Sequence, residues 1–282
     1  MPMRTLFRRG VRPYLEEERD DGRSLWFFVH IPKTAGTSFR SEIAEKLRPD
    51  CNIFLDAPGD RPHHVVLEDA TRAFISRMEA ERYRFVSGHL PRALFLSVKN
   101  AIPQTRLMVM LRDPVSRVAS SYRYQSSPAH PPHEAFRARY PRLEDFVADP
   151  AAQNEMFRFL AGSRVEPVEA LGKRMCGTFS FVGLAEAYDL SVRLLFALLG
   201  ERRGPALHLN RGDERRQAPV PPELAARIRR CNALDAELYE FFRSRYAAVT
   251  PKLLEYLDGD PQADVEGSAG LGAIPGRGKR EA

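Results

Sequence analysis

The sequence predicts an α/β fold in which a central parallel sheet is covered by helices on both faces. Three short apolar runs, Leu25–His30, Gln104–Leu111 and Phe179–Gly183, have the continuous hydrophobicity that is typical of strands buried on both faces. Segments with helical spacing separate these runs, and this alternation of strands and helices favours a parallel sheet. At 282 residues, of which 43% are hydrophobic, the chain is long enough and apolar enough to bury a sizeable core.

The predicted elements follow one another along a single domain, residues 24–257. Residues 1–23 mix basic and acidic side chains and are expected to form a polar, poorly ordered leader. Residues 258–282, rich in Gly, Asp, Pro and Ala, are expected to be disordered. Between them we predict, in chain order, strand Leu25–His30, helix Thr37–Leu47, helix Glu68–Arg82, strand Arg84–Ser87, strand Gln104–Leu111, helix Asp113–Tyr124 with Asp113 as its N-cap, helices Leu143–Val147 and Ala151–Leu160, strand Phe179–Gly183, helix Ala185–Leu199 and one long helix Pro221–Tyr246.

Charge and apolar patterning restrict the classes of partner. Lys and Arg outnumber Asp and Glu by 43 to 37, and the net charge of +6 favours anionic partners. No apolar run approaches the ~18 residues of a membrane-spanning helix, so no integral membrane segment is expected. The arginines are spread along the chain rather than grouped with aromatic residues, so nucleic acid is not an expected partner. The three cysteines are too far apart for a disulfide framework or a metal motif, and we expect a cytoplasmic location.

The segment from Phe28 to Arg40, FVHIPKTAGTSFR, has the composition of a phosphate-binding loop between a strand and a helix. The N–H groups and the dipole of a helix N-terminus attract an anion, and Gly36 lets the backbone approach it closely. Lys33 adds a positive charge, and the hydroxyl groups of this loop add donors. The segment is not a Walker A motif, because its lysine precedes its glycine. An ordinary capped helix after a strand is the alternative.

A second motif, MLRDPVSRVASSY from Met110 to Tyr122, offers groups for a second anion. Arg112 stands at the carboxyl end of the predicted central strand, which is where open α/β sheets bind ligands. Ser120 follows eight residues later, and an arginine fork with a serine hydroxyl suits a phosphate. The alternative for Arg112 is a structural ion pair with Asp113 or another carboxylate. Arg117 is expected to be structural.

These two motifs, in this order, resemble those of sulfotransferases that use 3′-phosphoadenosine 5′-phosphosulfate (PAPS). HIPKTAGTS is similar to their 5′-phosphosulfate-binding loop, and LRDPVSRVASSY is similar to their 3′-phosphate-binding strand and helix. The resemblance spans roughly residues 25–245 and is strongest to the carbohydrate group that includes the heparan sulfate 2-O-sulfotransferases and bacterial relatives. It implies a P-loop-like three-layer α/β/α fold, PAPS as co-substrate and no metal ion. The implied acceptor is a hydroxyl compound, a carbohydrate or a glycolipid.

The resemblance also implies roles for individual residues. Lys33 would contact the phosphosulfate near its bridging oxygen. The 5′-phosphate would be wrapped by the rest of the loop, and the 3′-phosphate would be held from the second motif. A later segment, Leu207–Arg216, resembles the loop that closes over the nucleotide, with a basic surface loop as its alternative. The expected nucleotide-binding residues are Lys33, Thr34, Ala35, Gly36, Thr37, Ser38, Arg112, Ser120, Asn210, Arg211 and Arg215.

The expected catalytic residues are His89 and Lys33. His89 follows a predicted strand in a Gly-His context, where a histidine of the resembling family acts as general base toward the acceptor hydroxyl. A histidine that caps the strand end is the alternative. Some relatives carry a second histidine two residues earlier; Ser87 stands there, so no two-histidine arrangement is expected. His30 is expected to orient the loop, and Asn154 to face the acceptor.

Two other classes of protein compete with a sulfotransferase. An ATP-dependent kinase with a P-loop-like fold would need a Walker lysine and a strand-end aspartate for magnesium, for which Asp113 is the candidate. A non-catalytic protein that binds anions or glycans would need basic and aromatic residues on one face. No pattern in the sequence indicates the oligomeric state.

Overall fold

Five strands form one parallel sheet in a computed structural model that describes residues 2–53, 61–201 and 219–259. The order across the sheet is β2-β3-β1-β4-β5, so β1 lies between β3 and β4. Every residue of β1, β3 and β5 is buried, which requires cover on both faces of the sheet. The predicted α/β class is therefore confirmed. The strands are β1 (Leu25–Val29), β2 (Asp50–Ile53), β3 (Phe85–Gly88), β4 (Thr105–Leu111) and β5 (Phe179–Leu184).

Helices connect the strands and form the layers around the sheet. Two single turns of 3₁₀ helix, Pro150–Ala152 and Ala185–Ala187, stand before α9 and α11. In the described ranges, every helix is too short or too polar to cross a bilayer. The α-helices are α1 (Pro2–Arg9), α2 (Val11–Glu18), α3 (Gly36–Lys46), α4 (His63–Glu81), α5 (Arg92–Ala101), α6 (Pro114–Gln125), α7 (His133–Arg139), α8 (Leu143–Ala148), α9 (Glu155–Ala161), α10 (Val168–Thr178), α11 (Tyr188–Leu198), α12 (Pro222–Cys231) and α13 (Ala233–Asp258).

The first residues differ from the expected poorly ordered leader, because they form α1 and α2. Met3, Leu6 and Tyr14 are fully buried in the main core. The hydroxyl of Tyr14 donates a hydrogen bond to the carbonyl of Ser180 on β5, at 2.6 Å. The apolar residues of α1 recur at three-residue spacing between charged residues, so they form a narrow stripe along one face of the helix. This stripe is enough to dock α1 on the domain.

The expected single helix over Pro221–Tyr246 is two helices. It breaks at Asn232, whose side chain donates to the carbonyl of Ile228 and accepts from the backbone N–H of Asn154. The second helix then continues through Pro251 to Asp258, past the expected end of the domain. Residues 260–282 lie outside the described ranges.

A second, smaller apolar cluster lies beside the main core. It joins α6, α8 and α12, which contribute Val115, Val118, Phe146, Val147, Leu224 and Ile228. Aromatic residues of α6 and α7 pack on it, among them Tyr122 and Phe136. This cluster holds one wall of the cleft described next.

Candidate functional site

Three loops meet in a cleft at the carboxyl end of the sheet. Val29, the last residue of β1, pairs with Gly88 on β3 and with Val109 on β4. Because the strands are parallel neighbours, the segments after β1, β3 and β4 emerge side by side. They carry the loop of residues 30–38 (the anion loop), His89 and Arg112. The cleft between them has a volume of about 1420 Å³.

The anion loop reaches the helix α3 through left-handed backbone. Lys33 has a φ of 65° and Ala35 has a φ of 67°, after which α3 begins at Gly36. The loop residues that line the cleft are His30, Pro32, Lys33, Ala35, Gly36, Thr37 and Ser38. Thr34 was expected beside them, but its side chain is buried and donates a hydrogen bond to the carbonyl of Ile31 at 2.9 Å. The Thr34 hydroxyl therefore shapes the loop from within.

Lys33 of the anion loop contacts α6 through its side chain and Arg112 through its backbone. Its Nζ lies 4.3 Å from the centre of the Tyr124 ring, a cation–π contact at the end of α6. Its backbone carbonyl accepts a hydrogen bond from Nη1 of Arg112, at 3.2 Å. The two predicted anion motifs are therefore joined directly.

Arg112 is 8% exposed and lines the cleft from the end of β4. The alternative expected for Arg112, an ion pair with Asp113 or another carboxylate, has a partner in Glu186, whose carboxylate lies 4.0 Å from Nε of Arg112. Asp113 instead caps α6, accepting from the backbone N–H groups of Val115 and Ser116, as the sequence predicts. Partial desolvation raises the pKa of Glu186, and Arg112 acts in the opposite direction. Ser120 lines the same cleft from α6.

His89 faces the cleft from the segment after β3. Its Nδ1 lies 2.7 Å from the carbonyl oxygen of His30. A carbonyl can only accept a hydrogen bond, so Nδ1 carries the proton and the neutral ring has its lone pair on Nε2. Desolvation lowers the pKa of His89, while this hydrogen bond and the charge of Glu155 raise it.

The ring centres of His30 and His89 lie 4.3 Å apart. The expectation that no two-histidine arrangement exists is therefore wrong: the second ring comes from the segment after β1 instead of from position 87. Burial, with smaller effects from His89, Arg40 and Lys33, lowers the pKa of His30 to about 3. His30 is therefore neutral and supports its neighbour without adding charge.

The lining of the cleft also includes Glu155, on the first turn of α9. Its carboxylate pairs with Arg117 of α6, which is fully buried and is also 3.8 Å from the carboxylate of Asp235. Arg117 has the structural role expected of it. No motif in the sequence singled out Glu155, because its place in the cleft depends on Arg117, 38 residues away.

Asn154 does not face the cleft as an acceptor-binding residue. Its side-chain oxygen accepts from the backbone N–H of Leu234 and of Asp235, and its amide group donates to the carbonyl of Cys231. Asn154, with a φ of 51°, is the residue immediately before α9. It therefore ties α9 to the junction of α12 and α13.

Sequence reasoning missed a set of aromatic and basic side chains that line the cleft. The sequence feature that could have revealed them is the high number of Tyr, Phe, His and Arg residues through α6, α7 and α8. This stretch contains no short motif. The side chains of this set are Tyr124, His130, Phe136, Arg139, Tyr140, Phe146 and Arg158. Asn210, Arg211 and Arg215, expected to contact the nucleotide, lie outside the described residues. Within the described ranges, no group of three His, Cys, Asp or Glu side chains is arranged to hold a metal ion.

The comparisons with known proteins found matches among solved structures. No protein-family model and no curated protein matches the chain. A sulfotransferase from Alicyclobacillus acidocaldarius is 17% identical, with a TM-score of 0.42 over 86% of this chain and 98% of that one. Mouse sulfotransferase SULT7A1 complexed with PAP is 15% identical, with a TM-score of 0.35 over 80% of this chain and 70% of that one. At these TM-scores neither likeness carries an argument about function, which rests on the site itself.

Proposed function

We propose that this protein is a sulfotransferase that moves a sulfuryl group from PAPS to a hydroxyl group of a carbohydrate or glycolipid. The observation that carries the proposal is the placing of two anion-binding groups and a neutral imidazole in one cleft. The anion loop with Lys33 is one group, Arg112 with Ser120 is the other, and His89 is the imidazole. The resemblance of both motifs to those of PAPS-dependent sulfotransferases supports the same reading.

PAPS carries two separate anionic groups, and the cleft offers a place for each. The anion loop presents the N-terminus of α3, the lysine and two hydroxyl residues to the 5′-phosphosulfate. Arg112 is nearly buried, so its guanidinium interacts with an anion at low local dielectric, and Ser120 adds a hydroxyl. A 3′-phosphate bound there would distinguish PAPS from ATP.

The chemistry follows from the placing of His89 and Lys33. The acceptor oxygen attacks sulfur as its proton passes to Nε2 of His89. The bond between sulfur and the bridging oxygen breaks, and 3′-phosphoadenosine 5′-phosphate leaves. Negative charge develops on the bridging oxygen, where the ammonium of Lys33 stabilises it. As in phosphoryl transfer, positioning and electrostatics supply most of the rate enhancement.

The kinase alternative lacks its strand-end aspartate. The candidate was Asp113, but one of its oxygens accepts the backbone N–H groups that begin α6, and the other lies 3.1 Å from Arg229. With this carboxylate occupied by a cap and an ion pair, it is not placed to serve as a magnesium ligand.

Calorimetry with 3′-phosphoadenosine 5′-phosphate, AMP and ATP tests the nucleotide assignment. We expect the bisphosphate to bind about tenfold to a hundredfold more tightly than AMP, because a charge-assisted contact to an anion is worth ~1.5–3 kcal/mol. Arg112→Ala should remove this preference, and Arg72→Ala, which removes an exposed arginine of α4, should keep it. Equal affinities for the bisphosphate and AMP in the unmodified protein would rule out the assignment, and tightest binding of ATP would favour the kinase.

Transfer of labelled sulfate from PAPS to a panel of polysaccharides, glycolipids and simple alcohols tests the reaction itself. Labelled product with any sugar hydroxyl supports the proposal. Tight binding of PAPS without transfer to any member of the panel would favour the non-catalytic alternative.

A further inference from the structure

A carboxylate lies inside the cleft where two anions are proposed to bind. Glu186 stands in the 3₁₀ turn after β5 and lines the cleft, and its Oε1 is 4.0 Å from Nε of Arg112. An anion bound to Arg112 would share this guanidinium with Glu186, and two negative charges at short range repel each other. Glu186 therefore opposes the contact that Arg112 offers to a phosphate.

Glu186 is tied in place by the backbone. Its Oε1 also accepts a hydrogen bond from the N–H of Asp113, at 3.1 Å. Asp113 follows Arg112 directly and caps α6, so this hydrogen bond joins the carboxyl group to the same junction of β4 and α6 that holds the guanidinium. An arriving anion can push the carboxylate aside only by breaking this bond. The Glu186 side chain is 37% exposed, which leaves the carboxyl group open to proton exchange with solvent.

The cations of a neighbouring cavity that Glu186 also lines are already paired. This cavity has a volume of about 530 Å³ and is lined by residues of α6, α12 and α13. In it Arg229 is 3.1 Å from the carboxylate of Asp113, and Arg243 is 2.6 Å from the carboxylate of Glu240. The countercharge of Glu186 is therefore the guanidinium to which the anion would bind. The charged and titratable side chains around Glu186 are Arg112, Asp113, Arg229, Tyr239, Glu240 and Arg243.

We propose that Glu186 competes with a bound anion for Arg112 and takes up a proton from solvent when the anion binds. This inference rests on the proposed function for the identity of the anion, the 3′-phosphate of the nucleotide. The proton is held on Oε2, since Oε1 accepts the N–H of Asp113, and no other covalent bond changes. The neutral carboxyl group does not repel the phosphate. When the proton returns to solvent, the restored charge favours release of 3′-phosphoadenosine 5′-phosphate.

The environment of Glu186 favours this proton uptake. Desolvation raises the pKa of Glu186 in the protein without a ligand, and the charge of Arg112 is among the effects that lower it. A bound anion offsets that charge, so the pKa of Glu186 rises further in the occupied site. Affinity should therefore fall as the pH rises between the pKa values of the free and occupied states, by up to about tenfold for each pH unit.

Calorimetry with 3′-phosphoadenosine 5′-phosphate tests this coupling. Titrations at about pH 6 and about pH 8, each in two buffers of different ionisation enthalpy, count the protons taken up. The phosphates of the nucleotide also titrate, at about pH 6, so the unmodified protein is compared with Glu186→Gln, in which they are the same. Glu186→Gln keeps the acceptor oxygen but holds no extra proton. It should take up fewer protons and bind about tenfold more tightly than the unmodified protein at the higher pH.

The matched control is Glu240→Gln, which removes the carboxylate paired with Arg243 in the smaller cavity and should retain the proton uptake. Equal proton uptake in the unmodified protein and folded Glu186→Gln would overturn the proposal. Weaker binding by folded Glu186→Gln at both pH values would also overturn it, because Glu186 would then orient Arg112 instead of competing for it.

Inorganic sulfate gives a test that needs no variant. Sulfate does not titrate in this pH range, so its binding to the unmodified protein should draw a proton onto the protein, and binding without proton uptake would contradict the proposal. The outcomes also separate this inference from the proposed function. If proton uptake depends on Glu186 but no sulfuryl group is transferred from PAPS, the proposed reaction fails and the competition for Arg112 stands. If transfer is found and proton uptake does not depend on Glu186, this inference alone fails.

Discussion

The α carbon of Gly36 lies directly against the imidazole ring of His30. A β carbon built at position 36 would lie 1.9 Å from Nε2 of that ring, far inside van der Waals contact. The first residue of α3 and the residue that supports His89 are therefore packed without any space between them. A change at either position is transmitted to the anion loop and to the proposed base together.

Gly36→Ala should weaken nucleotide binding at least tenfold, because the new methyl group must displace either the His30 ring or the start of α3. Overpacking of this kind costs about 1–3 kcal/mol, so the melting temperature should also fall. Calorimetry and thermal unfolding check both effects. The matched control is Gly177→Ala in α10, where a β carbon would meet nothing within 4 Å. Adding His30→Ala to Gly36→Ala should restore stability; a Gly36→Ala protein that binds normally would contradict this packing.

Tyr124→Leu should lower turnover, because it removes the ring on which the Lys33 ammonium rests. A cation–π contact is worth about 0.5–2 kcal/mol, so kcat should fall roughly twofold to thirtyfold. Tyr124→Phe retains the ring and should stay near the original rate. In a Lys33→Ala background, which is itself expected to lose more turnover than nucleotide affinity, Tyr124→Leu should have little further effect. A full effect of Tyr124→Leu without Lys33 would mean that the ring serves the substrate instead.

Stability should decrease as the pH falls below about 6.5, in part because of His30. Its pKa is lowered to about 3 in the folded protein, against 6.5 for an ordinary histidine. Between these two values the unfolded chain binds a proton that the folded protein does not, so acid favours unfolding. His30→Asn should flatten the dependence of the melting temperature on pH over this window. If the two proteins lose stability in parallel between pH 7 and pH 4, His30 does not titrate in this way.

Arg117→Met should destabilise the protein by about 3–5 kcal/mol, because it leaves the buried carboxylate of Asp235 without its cation. Chemical denaturation measures the loss. The comparison variant is Arg142→Met, which breaks an exposed pair with Asp145 and should cost less than about 1 kcal/mol. Similar losses in the two variants would show that the buried cluster is not the stabilising unit described here.

The sequence predicts those parts of the site whose residues are close together in the chain. The order of strand, loop and helix around the anion loop and the cap of α6 by Asp113 each depend on residues a few positions apart, and both agree with the prediction, apart from the buried side chain of Thr34. The contact of His89 with His30 spans 59 residues and depends on the pairing of β1 with β3. The pairing of these two strands cannot be inferred from a local sequence pattern. The residue at position 87 therefore could not show that a second histidine lies beside His89.

The same reasoning explains the elements that were missed. The strand β2 is short and polar, with the sequence DCNI. It forms because it pairs with β3, and its own hydrophobicity gives no sign of a strand. The break at Asn232 lies within a stretch of uniform helical spacing, and the Asn232 side chain there accepts a hydrogen bond from the backbone of Asn154, 78 residues away. The charges of residues 2–18 predict a polar leader, whereas the few apolar side chains among them determine their place in the core.

The docking of α1 has a consequence for how the chain folds as it is synthesised. Phe7 packs edge-on against Tyr246, with ring centres 5.4 Å apart, so α1 finds this partner only after some 239 further residues have been made. An eight-residue helix is marginal in water by itself. During translation α1 can pack against α2 at once, but its face toward α10, β5 and α13 stays uncovered, open to chaperones and to wrong contacts, until those elements emerge. A bulky fusion placed directly before Pro2 should slow this closing step, which refolding kinetics with and without the fusion would reveal.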